Sequence, residues 1–516
     1  MSAVAPDGEG TVGPILRALV FAVFAVLPPF VTGAFSVSIR ADVGFGPGAL
    51  GGAIAVYFFT SSLLAVTGGQ AVERLGPRIS LSVGSLLSGL SLASIALAPR
   101  YAVVIVAMML GGLSNAITQP GVGALLSQRI PPGRLGLAFG IKQAGIPGAT
   151  LLGGILVPTA AAAFGWRPTM GMLGALAIVG SVTILRTPGD GSGVVRRRPS
   201  VRTMEEFRPL AILAVGGALG SGAATALGTF LVGASVATGF FTESSGGLLL
   251  AFGSLLGLVM RVVLGWLMDV RPTRSRYGLI VVLLVLGLPG FLLLTIELPL
   301  TYIVGTFIAF VAGWSWAGLA QYAVVSQNPA TPALATGVLQ TGMSLGAGTG
   351  PLLFGLVVQV GGYRAAWVVA ATMAALSAVI VQAARVNLRR TRERNAEAFL
   401  SQLGDLEVDD AGFAPLADGV DVQRRLTADL DVTVLRLAPG ADHVAQVPTR
   451  TGMVLNMGTH DIELELNGER QLCAGGLYRA VPGFRRWRVA NPGPVAVLVA
   501  RVEHRTSGTR MPEDAG

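Results

Sequence analysis

Long apolar runs separated by short polar breaks occupy the first three quarters of the chain. Each run is close to the roughly 20 residues that a helix needs to cross the hydrocarbon core of a membrane. Because a helix satisfies its own backbone hydrogen bonds, such runs cross a bilayer as helices. The runs cover residues 14–36, 48–70, 79–98, 102–127, 136–160, 168–186, 209–236, 245–268, 278–297, 300–325, 334–358 and 365–385. The pattern predicts twelve spans, called the first to the twelfth below.

The pattern changes after residue 394. Residues 395–430 are polar and acidic, which predicts a linker with a short helix. From residue 431 apolar and polar residues alternate with a period of two, most clearly at 462–466, and Asn467-Gly468 then supplies a hairpin turn. Further predicted strands cover residues 432–437, 453–457, 471–473 and 495–502. Many short strands within about 75 residues predict a small all-β barrel or sandwich.

These patterns predict an all-α membrane part followed by a small β domain. The predicted segments are an N-terminal six-helix bundle (1–186), a linker (187–208), a C-terminal six-helix bundle (209–394), a second linker (395–430), the β domain (431–505) and a tail (506–516).

Composition supports a membrane protein, since 52% of the residues are hydrophobic and only 13% are charged. Soluble proteins carry about 25% charged residues. The net charge of +9 divides into +14 for residues 1–394 and −5 for residues 395–516. A basic membrane part with a mildly acidic tail excludes a nucleic-acid-binding protein. The single cysteine, Cys473, excludes an internal disulfide.

Three short segments of the first bundle recur in the second, 196 or 197 residues later. The matched pairs are 69–78 with 265–274, 138–145 with 335–342, and 165–167 with 362–364. In the first pair a glycine is followed by a carboxylate after four residues and by an arginine five residues later. Three collinear matches indicate a duplicated membrane unit.

The pattern Gly-x-x-x-Asp/Glu-Arg-x-Gly-x-Arg at residues 69–78 resembles the signature loop of the major facilitator superfamily. Its echo at 265–274 and the Gly-Trp-Arg at 165–167 strengthen the resemblance, which covers roughly residues 14 to 390. The resemblance implies two six-helix repeats around a central cavity and transport by alternating access. It says little about the substrate.

Loop arginines predict the orientation. With the N-terminus inside, the cytoplasmic segments hold 19 arginines and the opposite loops hold four. The positive-inside rule therefore places both termini and the β domain in the cytoplasm, with the protein in the inner (cytoplasmic) membrane. The first span lacks the cleavage site of a signal peptide, so we expect it to remain as a helix.

Two ionisable side chains lie inside predicted spans, where their cost marks them as functional candidates. Lys142, which is the sole lysine of the chain, lies in the fifth span and Arg261 in the eighth. The resemblance implies that these helices are neighbours, so the two cations could face one another across the cavity. No Asp or Glu lies in the middle of any span. We therefore predict an anionic substrate, a carboxylate that Arg261 grips while Lys142 supplies a second charge.

Each cation also has a plainer explanation. Lys142 could be a chance survivor in an arginine-biased chain, and Arg261 could simply hold helices together.

Uncharged side chains complete the predicted site. Asn115 and Gln119 are four residues apart in the fourth span, so they share a helix face. The other candidates are Gln143 and Gln340 at equivalent repeat positions, Trp314, Trp316 and Gln321 in the tenth span, and Tyr57 in the second. The aromatic rings suit an apolar substrate body. Helix packing or interhelical hydrogen bonding is the alternative for each.

The resemblance also implies a conformational gate at the cytoplasmic ends. Glu73 would meet the N-terminus of the eleventh span, where its carboxylate complements the positive end of the helix dipole. Asp269 would do the same at the fifth span. Such contacts form only when the cytoplasmic side is closed, so they favour the outward-open state. The predicted gate comprises Gly69, Glu73, Arg74, Arg78, Gly265, Asp269 and Arg274.

The β domain resembles a cupin that has lost its metal. The positions that match the two cupin motifs are Gly440, Gly458, Gly476, Pro482 and Asn491. The four metal-ligand positions hold Gln446, Pro448, Thr451 and Trp487. None of these replaces an imidazole or carboxylate ligand well, so we expect no metal and no cofactor.

We therefore expect a monomeric secondary transporter, not an enzyme, that moves a small organic anion. One alternative is a drug or metabolite exporter. The glycine-rich fifth span favours it, but Ala149-Thr150 stands where the family's export-associated motif has Gly-Pro. A second alternative is a transporter whose metal-free, cupin-like tail acts as a ligand sensor in the cytoplasm. The missing metal ligands disfavour a membrane-tethered enzyme.

Overall fold

The computed structural model describes most of the helical part and the strands of the C-terminal part. The described residues are 12–129, 135–186, 204–270, 276–327, 332–404, 414–418, 420–426, 430–445, 452–456, 462–466, 469–473, 478–481, 487–492 and 497–504. The chain forms two compact units, Met1–Leu388 and Arg389–Gly516. Both predicted six-helix bundles therefore belong to one unit.

The helices follow the predicted spans closely. They are α1 Val12–Ala34, α2 Ser36–Val43, α3 Pro47–Leu63, α4 Ala65–Ala96, α5 Tyr101–Arg129, α6 Leu135–Leu156, α7 Ala162–Phe164, α8 Trp166–Leu185, α9 Met204–Ala237, α10 Glu243–Val270, α11 Arg276–Leu293, α12 Pro299–Ile308, α13 Trp316–Gln327 and α14 Pro332–Gly404. Two π-helical turns, Val157–Ala161 and Ala309–Gly313, interrupt the fifth and tenth spans. Helices α1–α8 form the first half and α9–α14 the second.

Within the described residues, ten helices are long and apolar enough to cross a membrane. One of them, Ala335–Asn387, has 53 residues. That is about 80 Å of helix, more than twice the hydrocarbon thickness. Gly362 (φ 72°, ψ −179°) reverses the chain inside it and makes two crossings. A further crossing consists of helix α3 and the first turns of α4. It ends where Gly76 (φ 79°) reverses the chain. The described chain thus accommodates the twelve predicted crossings.

The internal repeat has the same local geometry in both halves. Gly165 (φ 87°) separates α7 from α8, and Gly362 reverses α14 at the matching position 197 residues later. Positive φ is a conformation that glycine adopts without steric cost. The repeated glycine of the two Gly-aromatic-Arg segments therefore starts the last helix of each half.

Small residues join the two halves along α6 and α10. A Cβ at Gly140 would lie 2.7 Å from the carbonyl oxygen of Arg261, and one at Gly154 would lie 2.6 Å from the amide nitrogen of Ala251. Between these points the hydroxyls of Thr150 and Ser254 are 2.7 Å apart. The helices are in backbone contact along their length, as small residues allow in membranes.

Helices α3 and α14 are in close backbone contact toward one end of the bundle. A Cβ at Gly51 would overlap the carbonyl of Pro351, and one at Gly355 would meet the backbone of Pro47. Farther along, a Cβ at Gly69 in α4 or at Gly337 in α14 would meet no atom within 4 Å. This second seam is therefore packed at the end that carries Asp42 and Glu243, called the arginine-poor end. The end that carries Arg74, Arg78 and Asp269 is called the arginine-rich end.

The C-terminal unit contains two antiparallel sheets. The strands are β1 Ala414–Ala417, β2 Val420–Leu426, β3 Leu430–Leu437, β4 Asp442–Ala445, β5 Gly452–Asn456, β6 Ile462–Leu466, β7 Glu469–Cys473, β8 Tyr478–Val481, β9 Trp487–Ala490 and β10 Val497–His504. Their order is β1-β2-β3-β10-β5-β8 in one sheet and β4-β9-β6-β7 in the other. The cupin-like assignment remains a prediction.

The β region begins earlier than predicted. Helix α14 reaches Gly404, and β1 and β2 lie inside the segment 395–430 that was predicted as a linker. Strand β2 pairs with β3 over its whole length, from Val420 opposite Leu437 to Leu426 opposite Asp431. Its polar run, residues 423–425, interrupts the alternation from which strands were predicted.

Several predicted features lie outside the described residues. They are most of the linker at 187–208, Arg274, the turn Asn467-Gly468, the tail 506–516 and the cupin positions Gln446, Pro448, Thr451, Gly458, Gly476 and Pro482.

Candidate functional site

A cavity lies between the two halves. Seven of the ten predicted substrate-binding residues line it, namely Asn115, Gln119, Gln143, Arg261, Trp314, Trp316 and Gln340. The remaining lining residues are Val26, Phe30, Phe58, Ile146, Ser221, Ala224, Thr225, Ala317, Met343, Ser344 and Ala347.

Arg261 is held at the cavity wall by two backbone carbonyls. Its side chain, 2% exposed, donates from Nη1 to the carbonyl of Gln143 and from Nη2 to that of Trp314 at 2.6 Å. Proline lacks an N–H, so Pro147 cannot use the Gln143 carbonyl four residues earlier in α6. Trp314 follows the π-helical turn, where the regular helix is interrupted. The proline in α6 and the π-helical turn before Trp314 thus leave free the two carbonyls that fix the guanidinium.

The guanidinium keeps unused hydrogen-bonding capacity. An arginine has five N–H donors, and Nε of Arg261 is buried without an acceptor in the described part of the chain. Among the described residues no carboxylate pairs with Arg261; the ion pairs there are Arg167 with Asp42 and Arg488 with Asp442. The cavity wall therefore carries an uncompensated positive charge.

Aromatic rings form another part of the wall. The ring of Trp314 lies 5.6 Å from the guanidinium carbon of Arg261. It also packs on Phe30 of the first half, with ring centroids 5.8 Å apart, and Phe30 in turn contacts Phe58 at 6.4 Å. These rings offer an apolar surface that spans both halves beside the cation.

Amide side chains provide the polar groups of the cavity. Asn115 donates from Nδ2 to Ser61 Oγ at 2.7 Å, and its Oδ1 is buried without a donor among the described residues. Gln340 accepts from Gln321 Nε2 at 2.6 Å and donates to Ser344 Oγ at 3.3 Å. Gln321 thus orients Gln340 without lining the cavity itself. Both amides can pair with polar atoms of a bound molecule.

Tyr57 and Lys142 do not line the cavity. The hydroxyl of Tyr57 donates to the carbonyl of Ala25, and its ring packs on Phe58. A Cβ at Gly123 in α5 would lie 3.6 Å from Nζ of Lys142, so this amine points into the first half. Arg261 points to the seam between α6 and α10. The two cations therefore do not face one another as the sequence analysis expected.

Of the two predicted gate carboxylates, Asp269 contacts the start of a helix and Glu73 is exposed. Asp269 Oδ2 accepts a hydrogen bond from the backbone amide of Leu137 at 2.8 Å, in the first turn of α6. That amide is one of the four that a helix leaves unpaired at its N-terminus. Glu73 and Arg74 are exposed, and Arg78 donates to the carbonyl of Ile184 at 3.3 Å.

A contact at the arginine-poor end was not predicted. The carboxylate of Glu243, the first residue of α10, accepts from the hydroxyl of Ser38 at 2.7 Å and from its amide at 3.3 Å. Ser38 belongs to the first half and Glu243 to the second, so this contact joins the halves. A glutamate in the first turn of a helix is common for reasons of capping and dipole. Nothing in the sequence identified Ser38 as its partner.

Replacing Asp269 by Ala will loosen the start of α6. The carboxylate contact at a helix N-terminus contributes about 0.5–2 kcal/mol. Hydrogen–deuterium exchange at Leu137 should therefore become several-fold faster. Glu73→Ala is the control, because Glu73 is exposed, and it should leave exchange at Leu137 unchanged. Equal exchange in the wild type and Asp269→Ala would contradict the contact.

Three cupin positions fall among the described residues of the C-terminal unit, namely Gly440, Asn491 and Trp487, the first residue of β9. Asn491 is 1% exposed and donates to the carbonyls of Leu437 and Ala438, at 3.1 and 3.2 Å. Its own carbonyl accepts from Gly440, which has φ 74°. Asn491 therefore fixes the turn after β3. Partial burial lowers the pKa of His443, an effect that the neighbouring Asp442 opposes.

Comparison with known proteins places the helical part in a family of transporters. The family model of the Major Facilitator Superfamily matches residues 15–334. The tetracenomycin C resistance and export protein of Streptomyces glaucescens is 31% identical over 155 residues, which is 27% of this chain and 28% of that protein. The quinolone resistance protein NorA of Staphylococcus aureus is 25% identical over 166 residues, 31% of this chain and 43% of NorA. The chain thus spans less than half the length of these relatives.

Solved structures have the same fold. A bacterial homolog of the human lysosomal transporter Spinster, in an inward-facing and occupied conformation, superposes with a TM-score of 0.57 at 15% identity. The match covers 74% of this chain and 98% of that one. The nucleoside transporter NupG gives a TM-score of 0.58 at 11% identity, with 72% and 99% covered.

Proposed function

Since the chain belongs to the major facilitator superfamily, we propose that it carries a small organic anion across the cytoplasmic membrane by alternating access of the central cavity. The proposed cargo has a carboxylate and an apolar, aromatic body. The observation that supports this proposal most is the fixed guanidinium of Arg261 at the cavity wall, with no carboxylate partner among the described residues.

The reasoning starts from the cost of a charge inside a membrane protein. A buried cation without a counterion is expensive, and an anion that visits the site relieves that cost. Arg261 uses two donors on backbone carbonyls, which fixes its orientation, and its remaining N–H groups can bind a carboxylate. The aromatic surface of Trp314 and Phe30 beside it suits the body of such a molecule.

The contacts between the halves support a rocking motion about the α6–α10 seam. Glycines of α6 and α10 are in close contact along that seam, whereas in the α3–α14 seam Gly51 and Gly355 are in close contact but Gly337, nearer the arginine-rich end, has no atom within 4 Å of a Cβ. We propose that the arginine-rich end faces the cytoplasm and that this conformer opens inward. In the opposite conformer Glu73 would reach the N-terminus of α14, and the contact of Ser38 with Glu243 would break. Asp269, which accepts a hydrogen bond from the amide of Leu137 here, would remain at the hinge, so under this proposal its contact does not need the closed cytoplasmic side that was expected from the sequence.

Counterflow in proteoliposomes tests the proposed transport. 1-Naphthoate is a suitable probe because it joins one carboxylate to a rigid aromatic body. Vesicles that contain the full-length protein and unlabelled 1-naphthoate should accumulate labelled 1-naphthoate, and excess neutral 1-naphthamide should not compete. Absence of protein-dependent counterflow with this probe and with a series of aromatic and aliphatic carboxylates would refute the proposal.

Export of neutral aromatic drugs is the second candidate, favoured by the resistance and export proteins among the relatives. The aromatic rings would then dominate binding and the charge of Arg261 would matter little. Under this alternative 1-naphthamide would compete as well as 1-naphthoate. The same competition experiment therefore separates the two candidates.

The C-terminal unit is proposed to be a cytoplasmic regulatory module. Its candidate role as a ligand sensor rests on the cupin-like pattern. Removing residues 405–516 keeps α14 complete. We expect counterflow to persist in this variant with a changed rate, whereas an identical rate would make the unit dispensable for transport.

A further inference from the structure

Lys142 is a buried cation that the central cavity does not use. It is 9% exposed in α6, and it is the single lysine of the chain. Gln143, the next residue, lines the cavity and holds Arg261 through its carbonyl. Consecutive residues of an α-helix point about 100° apart. The side chain of Lys142 therefore leaves the α6–α10 seam and lies against α5.

The ammonium group has no hydrogen-bond or ion-pair partner in the described part of the chain. A Cβ at Gly123 would lie 3.6 Å from Nζ and would meet no other atom within 4 Å. Among the described residues, no hydrogen bond or ion pair reaches Lys142. Arg261, in contrast, is held by two carbonyls. A cation with no internal partner is costly in this setting unless an anion or water reaches it.

The position of Lys142 connects the cavity with the arginine-rich end. Gly123 follows Gln119 by one turn on the same face of α5, and Gln119 lines the cavity. Because α5 runs toward the arginine-rich end, Gly123 lies about 6 Å beyond Gln119 in that direction. The amine beside Gly123 thus lies just outside the cavity on the arginine-rich side.

We propose that Lys142 is a second carboxylate-binding site, which an anion occupies between the central cavity and the arginine-rich end. This inference rests on the proposed transport of an organic anion. The ammonium supplies charge and three rotatable donors on a flexible stem, without the fixed geometry of Arg261. It therefore receives a carboxylate as it enters or leaves, whereas Arg261 and the aromatic wall hold it in the centre. Two successive weak sites allow an ion to bind and still move on.

The single lysine gives a direct readout of this site. Sulfo-NHS acetate, a small amine-reactive anion, can be applied to the full-length protein in lipid nanodiscs. Mass spectrometry then measures how fast the peptide that contains Lys142 becomes acetylated. We expect acetylation to be slowed about tenfold or more by 1-naphthoate and unchanged by 1-naphthamide. The variant Gln70→Lys adds an exposed lysine at the arginine-rich end. Its acetylation should be fast and insensitive to 1-naphthoate.

Tryptophan fluorescence in the same samples reports on the central cavity, which Trp314 and Trp316 line. Quenching by 1-naphthoate without protection of Lys142 would overturn the second site and leave the proposed function standing. Protection without quenching would support the second site and count against the central one. Neither effect, or no acetylation of Lys142 at all, would overturn the second site.

The variant Arg261→Gln separates direct protection from a conformational effect. At concentrations that leave the central cavity of this variant empty, 1-naphthoate should still protect Lys142. Loss of protection together with loss of quenching would mean that Lys142 only follows the conformation, and the proposed second site would be wrong.

Discussion

Replacing Arg261 by Gln will weaken the binding of 1-naphthoate by about 30- to 150-fold, which corresponds to about 2–3 kcal/mol. The substitution removes the fixed positive charge of the cavity and leaves the carboxylate of the probe in a site of low polarity without a counterion. Binding of neutral 1-naphthamide should change much less, because the aromatic wall remains. Isothermal titration with both probes measures the difference.

Two further variants separate charge from geometry. Arg261→Lys keeps the charge but loses the planar fork that holds two carbonyls, so its affinity for 1-naphthoate should be intermediate. Arg167→Gln is the matched control. Arg167 also donates to two carbonyls, those of Ala96 and Ala98, but at the arginine-poor surface, outside the cavity. If Arg167→Gln weakens binding as much as Arg261→Gln, the effect is one of folding and not of charge in the cavity.

Replacing Gly140 by Leu will reduce counterflow by about tenfold or more. A Cβ at Gly140 lies 2.7 Å from the carbonyl oxygen of Arg261 and 3.3 Å from Cα of Gly265. Both are backbone atoms, so neither can swing aside, and overpacking of this kind costs about 1–3 kcal/mol. The helices α6 and α10 must separate, which also displaces the residue that carries the guanidinium.

Gly171→Leu is the control for Gly140→Leu. Gly171 lies in α8, where a Cβ would meet no atom within 4 Å, so the larger side chain has space. Counterflow and thermal stability of this variant should match those of the wild type. Equal counterflow by Gly140→Leu and Gly171→Leu would show that the α6–α10 seam is not needed in its packed form.

The sequence predicted the helices well because hydrophobic length is a strong signal in a membrane protein. The predicted fifth and sixth spans, 136–160 and 168–186, correspond to helices that start at Leu135 and Trp166. The glycines at 165 and 362 were found as a repeat, and the structure gives the reason, since both reverse the chain at positive φ. The π-helical turn at Ala309–Gly313 gave no signal, because its residues are as apolar as the rest of the span.

The sequence predicted which residues form the candidate site better than it predicted where their side chains point. Polar side chains within spans have few environments available, so Asn115, Gln143 and Gln340 were identifiable from position alone. The direction of Lys142 was not, since a single residue along α6 turns a side chain by about 100°. The acceptors of Arg261 were also hidden, because they are backbone carbonyls. The presence of Pro147 four residues after Gln143 was the one available sign of a free carbonyl.

Contacts between distant segments were the hardest to predict. The hydrogen bonds from Ser38 to Glu243 join residues 205 positions apart. Their register depends on how the two halves pack, which the separate patterns of the two halves do not specify. In the C-terminal unit β1 and β2 were missed for a related reason. Strand β2 is recognisable by its pairing with β3 and not by its own alternation.

The most direct test of the central claim compares the binding of 1-naphthoate and 1-naphthamide to the wild-type, full-length protein by isothermal titration. The two probes share their shape and their aromatic surface and differ in charge. A guanidinium without a counterion in the cavity predicts that the carboxylate binds at least about tenfold more tightly than the amide. Equal affinities, or tighter binding of the amide, would contradict a site built for an anion.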